Sequence, residues 1–377
     1  MKHIITPELH TLRALFVREG HECWLVGGAC RDLQMGIKPK DIDLATSATP
    51  DEQIALYRAH GLQYIPTGLA HGTVSVVLDQ TYEITSLRTE SNHDGRHASV
   101  AYTRDLRTDC ERRDLTINAI AMDFDGNIID YFGGIDDIKN RRVRFVGEAE
   151  ERMREDYLRI LRFFRFHTRI AGDAPFDAEA VAAILETRAG LAQISVERIW
   201  MEMRKIISGP SAMKTLQQMI ELIIFEIIQM PYGDFSQLQK AYDAGIIDPA
   251  SLMGFYLNEK QVVDLSQAWK WSNAETDRAL YISRHKSTER IASFKEMLVD
   301  GVEIEWVYDL MTFNQVDPLP MMVWKPPVFP VTGADLIATG MKPSREMGEV
   351  LRKMTEEWKK SDYTMTKEEL LNNIAVT

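Results

Sequence analysis

Asp41 and Asp43 stand one residue apart, and carboxylates held that close repel each other unless a cation lies between them. The run Asp41-Ile-Asp-Leu44 reads as a strand, where positions i and i+2 face the same side, so both carboxylates can serve one ion. Ligands that are all hard oxygens select Mg²⁺. Glu83, in the β-rich run that opens at Tyr82, is the candidate third acid from a neighbouring strand. Upstream, Gly27-Gly28-Ala-Cys-Arg31-Asp32 follows the apolar run Cys23–Val26. A strand ending in two glycines lets backbone N–H groups approach a phosphate closely, and Arg31 can neutralise its charge. A lone Asp-x-Asp or Gly-Gly is common at strand ends and turns. Glycine cradle, arginine and acid pair in that order, within seventeen residues, point instead to a metal-triphosphate site.

Two further constellations supply what such a site lacks. In Arg112-Arg113-Asp114-Leu-Thr-Ile-Asn118, Arg113 can contact phosphate and Asp114 can accept a hydrogen bond from a ribose hydroxyl. The stretch Arg152–His167 reads as one helix, with Met153, Tyr157, Ile160, Leu161 and Phe164 in an apolar stripe. Arg152, Asp156, Arg159 and Arg162 gather on its other side. Alone, such a face is a solvated row of ion pairs. Beside a triphosphate site, Asp156 and Arg159 can read a base: cytosine and adenine both offer an amino donor next to a ring-nitrogen acceptor, and uracil and guanine offer the reverse.

The elements that must position these residues are legible in outline. Thr6-Pro7 caps a helix over about 7 to 19, Cys23–Val26 is a buried strand, and Thr49-Pro50 with Glu52 opens a second helix with a capping box. Thr73–Leu78 and Tyr82–Leu87 form a hairpin in the same sheet, and Arg88–Glu111 reads as a polar, mobile loop. Beyond about residue 150 the periodicities are helical without strands. The prolines between Pro318 and Pro330 mark a linker, after which Met347, Val350, Leu351, Met354 and Trp358 share one helical face and Thr366–Glu369 makes another capping box.

With 377 residues, 45% of them hydrophobic and 27% charged, the chain has the composition of a soluble protein with at least two cores. Its most apolar stretch, Met219–Met230, is broken by Glu221 and Glu226, which excludes a membrane span there. Cys23, Cys30 and Cys110 lack metal-ligand spacing and suit a reducing compartment, and the N-terminus has no secretory pattern. The net charge of −12 argues against a nucleic-acid partner only on average. Between Lys139 and Arg169 ten basic residues face five acidic ones, a local basic island.

Taken in order, these motifs, with Asp130-Tyr-Phe-Gly-Gly-Ile-Asp-Asp137, Glu155-Asp-Tyr-Leu-Arg159 and Ser195-Val-Glu-Arg-Ile199, resemble the five motifs of class II CCA-adding enzymes. The ending, with Val331-Thr-Gly-Ala-Asp-Leu and Glu357–Tyr363, is similar to the tail of animal mitochondrial-type members, and the resemblance covers nearly the whole chain. It departs at Lys342-Pro-Ser-Arg, where many bacterial members have Lys-Pro-Gly-Pro.

The resemblance implies an α+β fold: a polymerase-β-type nucleotidyltransferase head over 1–147, then an all-α neck (148–212), body (213–317) and tail (318–377), together seahorse-like. It implies that Asp41, Asp43 and Glu83 are catalytic, with Asp41 and Asp43 holding Mg²⁺. Gly27, Gly28, Arg31, Arg113 and Asp114 would hold the nucleotide's triphosphate and sugar. Asp156 and Arg159, with Arg162 and Arg165 nearby, would read the base. Asp94, Arg96 and His97 would lie in a flexible loop that helps the change from C to A. CTP, ATP and tRNA are the implied partners, the tail gripping the tRNA elbow. Alternatives are a poly(A) polymerase, a CC-only or A-only enzyme, or a non-catalytic RNA-binding protein that kept the fold. The expected location is intracellular, cytoplasmic by default, with mitochondrion or nucleus open in a eukaryote. The sequence does not fix the oligomeric state.

Overall fold

A computed structural model of the chain describes residues 4–91 and 99–374; Asp94, Arg96 and His97 lie outside the described residues. The chain divides into two compact units. The first runs to Pro231 and includes Gln267–Trp271; the second comprises Tyr232–Ser266 and Ser272 onward.

The first unit opens with α1 (Pro7–Arg18), capped by Thr6 Oγ1, then β1 (Cys23–Val26), α2 (Gly28–Gln34), β2 (Leu44–Thr46) and α3 (Pro50–Ala59) with the expected Thr49/Glu52 capping box. Next come β3 (Gln63–Gly68), β4 (Thr73–Val77) and β5 (Thr81–Ser86), followed by β6 (Arg88–Ser91), β7 (Ser99–Tyr102) and α4 (Leu106–Glu111). The segment read as a loop over 88–111 is thus largely structured: β6 pairs antiparallel with β7, and Asp105 caps α4 through the N–H groups of Arg107 and Thr108. Its polarity hid these elements because they are short, and α4 buries only Leu106, Asp109 and Cys110. After β8 (Ile120–Met122), β9 (Ile128–Asp130) and α5 (Gly134–Lys139), the seven-stranded sheet is complete in the order β3-β4-β5-β2-β1-β8-β9. Only the β2–β5 pairing is parallel.

The central strand explains its own sequence. All four residues of β1 are buried, Cys23 and Leu25 against Leu12, Phe16 and Tyr57 on one face, Trp24 and Val26 against Leu106, Cys110 and Val146 on the other. A strand covered on both faces reads as an uninterrupted apolar run. All three cysteines are free and buried; burial pushes the thiols of Cys23 and Cys30 up to about 12 and that of Cys110 up to about 11, so they stay protonated and inert.

The helical part of this unit runs α6 (Ala149–Glu155), α7 (Leu158–Phe166), α8 (Ala178–Thr187), α9 (Val196–Ile207), α10 (Ala212–Glu221) and α11 (Ile224–Ile227). Trp271 stacks on Trp200 at 4.4 Å, and the Trp269 indole donates to the carbonyl of Ile228, which ties in the Gln267–Trp271 segment. The single helix expected over Arg152–His167 is broken. Asp156 is extended (φ −154°, ψ 104°) and its carboxylate accepts the N–H of Leu158 at 3.1 Å, a local bond that competes with helix continuation. The Tyr157 ring lies so close to Gly190 that a Cβ there would come within 2.2 Å of it, so this glycine makes room for the break.

α7 runs on into a π-helical turn, His167–Ala171, where His167 is buried and stacks on Phe176 at 3.7 Å. Burial lowers its pKa from 6.5 to about 4. Between those values the unfolded chain takes up a proton that the folded chain does not, so stability falls as pH drops through this window, by about 3 kcal/mol in all. His167→Phe should flatten urea-derived stability between pH 6.5 and pH 4. An unchanged slope would mean that other groups set the acid sensitivity.

The second unit is helical throughout its described residues: α12 (Phe235–Asp243), α13 (Pro249–Tyr256), most of α14 (Glu259–Ala268), α15 (Asn273–His285), α16 (Ile291–Val299) and α17 (Ile304–Phe313). The proline-rich segment carries the short α18 (Leu319–Val323), and α19 (Gly333–Ala338), α20 (Arg345–Lys360) and α21 (Lys367–Ile374) follow. Met354 and Trp358 of α20 close a small core with Val331, Leu336 and Leu370, and the Thr366/Glu369 capping bonds form at the head of α21. Among the described residues, no helix is long and apolar enough to cross a membrane.

Candidate active site

Strand register builds one wall of the site. In the parallel pair Leu44 faces Ile84, so the residues just before them, Asp43 and Glu83, arrive side by side. On the other side Leu44 faces Leu25, and the N–H of Val26 donates to the carbonyl of Asp43 at 3.1 Å, which brings Gly27 and Gly28 to the same edge. The second strand therefore starts at Leu44, not at Asp41; both aspartates precede it and are exposed. Gly27 has φ 67°, and a Cβ on it would lie 2.9 Å from the Arg113 guanidinium, so conformation and space both require glycine.

A cleft of about 650 Å³ opens on this edge. It is lined by Gly27, Gly28, Arg31, Asp43, Glu83, Arg113, Asp114, Asp156, Arg159, Arg162 and Arg165. Of the candidate site residues that are described, Asp41 alone does not line it. The lining also includes Arg88, Arg112, Asn118, Phe166 and Arg198, none of which the sequence singled out as a site residue. Eight arginines against four carboxylates make the cleft cationic although the chain as a whole is acidic.

Asp43 is open to solvent on one side, but the cleft walls shield its carboxyl from water, and that desolvation first, then Glu83 and Asp41, push it above the usual range. Among the described residues no three acidic, histidine or cysteine side chains gather into a metal-holding group, so Asp41, Asp43 and Glu83 do not form a ready-made cage. Mutually repelling oxygen ligands of this kind nevertheless fit a hard divalent cation, whose charge would relieve that repulsion.

The arginines are held in set positions. Arg31 donates through Nε and Nη2 to Asp32 (3.0 and 2.8 Å) and through Nη1 to Asn118 (2.6 Å). Arg113 donates to the carbonyl of Asn118 (3.2 Å) and to Asp109 (3.1 Å). Asp109 is buried and also accepts from Arg112 (2.6 Å) and from the backbone N–H of Arg88 (3.3 Å), so one carboxylate aligns three cleft arginines. Asp114 accepts from Arg162 (2.7 Å) and Asn118 (3.1 Å); burial alone would raise its carboxyl, but Arg162, Asn118 and the N–H of Leu115 together outweigh that and lower it below the usual range. Asp156 accepts from Arg198 (2.7 Å), and Arg159 is clamped by Glu155 and the carbonyl of Arg152. Arg165 sits beside the buried Glu202 at 2.9 Å. Burial brings its pKa down to about 10, so it stays charged at neutral pH.

Residues 23–144 match the family profile described as the poly A polymerase head domain. Residues 175–234 match the one described as "Probable RNA and SrmB- binding site of polymerase A". The human mitochondrial CCA tRNA nucleotidyltransferase 1 is 38% identical over 396 residues, covering 99% of this chain and 91% of that protein. The chain belongs to the CCA-adding enzymes, the tRNA nucleotidyltransferases. A CCA-adding enzyme of Bacillus cytotoxicus is 36% identical over 90% of both chains. The solved CCA-adding enzyme of Bacillus stearothermophilus in complex with CTP superposes with a TM-score of 0.76 at 28% identity over 98% of each chain. The sheet domain is thus the polymerase-β-type nucleotidyltransferase head of that family, within an α+β protein, and the family generally uses a divalent metal. Within it, Arg198 was visible beforehand only as part of the Ser195–Ile199 motif, because nothing in that motif shows that it faces Asp156 from another helix. Asp109 gave no signal at all: within a segment read as a polar loop, one more acid reads as a solvated position.

Proposed function

We propose that this protein adds C, C and A to the 3′ end of tRNA, taking the nucleotides from CTP and ATP and releasing pyrophosphate. The observation that carries the reading is the cleft itself, about 650 Å³, with Asp43 and Glu83 on a strand edge and eight arginines among its lining. Asp41 and Asp43 would hold Mg²⁺, with Glu83 beside them. Bound there, two Mg²⁺ ions would activate the RNA 3′-hydroxyl for in-line attack on the α-phosphorus and neutralise the departing pyrophosphate. Gly27, Gly28, Arg31 and Arg113 take the triphosphate, with Arg31 held at that end of the cleft by Asp32 and Asn118, and Asp114 accepts from the ribose. Asp156 accepts from the base amino group while Arg159 donates to the ring nitrogen, so C and A are admitted and U and G refused. Arg162 and Arg165 keep that wall cationic. Asp94, Arg96 and His97 would assist the change from C to A.

The head ends near residue 147, the neck near 212 and the body near 317, and residues 318–377 form the tail that grips the tRNA elbow. The region matching the RNA-binding profile gives the neck and the start of the body a share in holding RNA. The protein works inside the cell, where three buried free thiols are at home; mitochondria are the first compartment to examine, given the name of the human relative.

Purified protein incubated with tRNA lacking its CCA end, Mg²⁺ and each NTP singly and together should add C, C and A and then stop, as read at one-nucleotide resolution. A long A-tail would move the assignment to a poly(A) polymerase. Tight tRNA binding without Mg²⁺-dependent turnover would move it out of the enzymes.

A further inference from the structure

Behind the wall formed by Arg165 and Phe166 lies a second cavity, about 220 Å³, lined by Arg165, Thr168, Arg169, Lys205, Ser208 and Gly209 among others. Arg165 lines both this cavity and the nucleotide cleft. Its charges do not balance. Three cations, Arg165, Arg169 and Lys205, line it, against two carboxylates behind them: Glu202 is shared by Arg165 (2.9 Å) and Lys205 (3.9 Å), and Asp32, beside Arg169 at 2.9 Å, is shared with Arg31 of the neighbouring cleft. The ammonium of Lys205 is destabilised first by burial and also by Arg165, Arg162 and Arg204. One polar atom of the lining residues, Ser208 Oγ, is buried without a hydrogen-bond partner among the described residues, whereas Arg165 Nε has the Glu202 carboxylate beside it at 2.9 Å. A buried donor left unmade is costly, and a surplus of cations around it selects an anion with several acceptor oxygens.

We propose that this cavity is a phosphate subsite for the RNA strand, holding a backbone phosphodiester while the strand's 3′ end lies in the adjoining cleft. The inference rests on the reading of the protein as an RNA-extending enzyme. The cavity is too small for a nucleoside triphosphate, and Lys205, Ser208 and Gly209 fall within the segment matching the RNA-binding profile.

Lys205 is partly exposed and touches no group assigned to the nucleotide, so Lys205→Ala should fold and keep kcat at saturating tRNA. Its KM for tRNA should rise about 3- to 10-fold with KM for CTP unchanged. The slope of log K for tRNA binding against log salt should become less negative by about 0.7 to 0.9, the loss of one phosphate contact. Lys205→Arg should restore both. An unaltered KM for tRNA and salt slope would overturn the subsite, and so would a rise in KM for CTP instead, which would assign the cavity to the nucleotide's phosphates. Failure of the unsubstituted protein to extend any RNA would overturn the functional reading itself.

Discussion

Asp43→Asn should lower nucleotide incorporation by about 10³-fold or more, roughly 4 kcal/mol of transition-state stabilisation, while tRNA binding stays nearly intact. The parallel register of β2 and β5 sets Asp43 beside Glu83, and Asp41 adds a third negative charge close enough to raise the Asp43 carboxyl. Removing one charge from that group would take away both the proposed metal ligand and the repulsion that makes a cation welcome there. The neutral amide is nearly the same size, and the backbone carbonyl of Asp43 still accepts from Val26, so the strand edge has no reason to move. Single-turnover incorporation beside a tRNA binding isotherm separates the two effects. Incorporation within tenfold of the unsubstituted protein would remove Asp43 from the metal site.

The second large effect concerns which nucleotide is used. Arg159→Ala should cut kcat/KM for CTP and ATP by about 10²-fold and bring UTP and GTP to within about tenfold of them, because a buried polar contact to a base edge is worth about 1 to 3 kcal/mol and its loss removes the discrimination with it. Arg159 cannot swing freely: Glu155 and the carbonyl of Arg152 hold it from the preceding helix. Arg198 does the same for Asp156, so Arg198→Ala should relax selectivity in the same direction but less. Steady-state kcat/KM for the four nucleotides decides the matter. Preserved preference for C and A in Arg159→Ala would place base reading elsewhere in the cleft.

What the sequence disclosed, and what it withheld, follows from the range of the forces involved. Caps and buried strands are local: Thr6, the Thr49/Glu52 box and the apolar run Cys23–Val26 each act within a few residues, and each is where the pattern placed it. The candidate site residues were picked out by motif order, and all the described ones but Asp41 line one cleft. The β6–β7 hairpin was hidden because strands that short at a surface need little apolar alternation. The break at Asp156 was hidden because helical periodicity continues across it; a single side-chain bond to Leu158 decides the conformation. The protein partners that hold Arg31, Asp32 and Asn118, include one 87 positions away that no local pattern could supply.

Six side chains from Arg169 through Asp32, Arg31, Asn118 and Asp114 to Arg162 are joined bond to bond, with Asn118 accepting from Arg31 and donating to Asp114. Loss of one partner of a buried ion pair costs about 3 to 5 kcal/mol, a large part of the roughly 5 to 15 kcal/mol that holds a domain folded. The route by which this row can drift over generations is therefore narrow. Asp114 cannot change unless Arg162 changes with it, nor Asp32 without Arg31, whereas the outer Arg169–Asp32 contact is exposed and freer to drift. Descendants of this chain that alter the row must do so in matched steps, and the positions should vary as partners or stay fixed together.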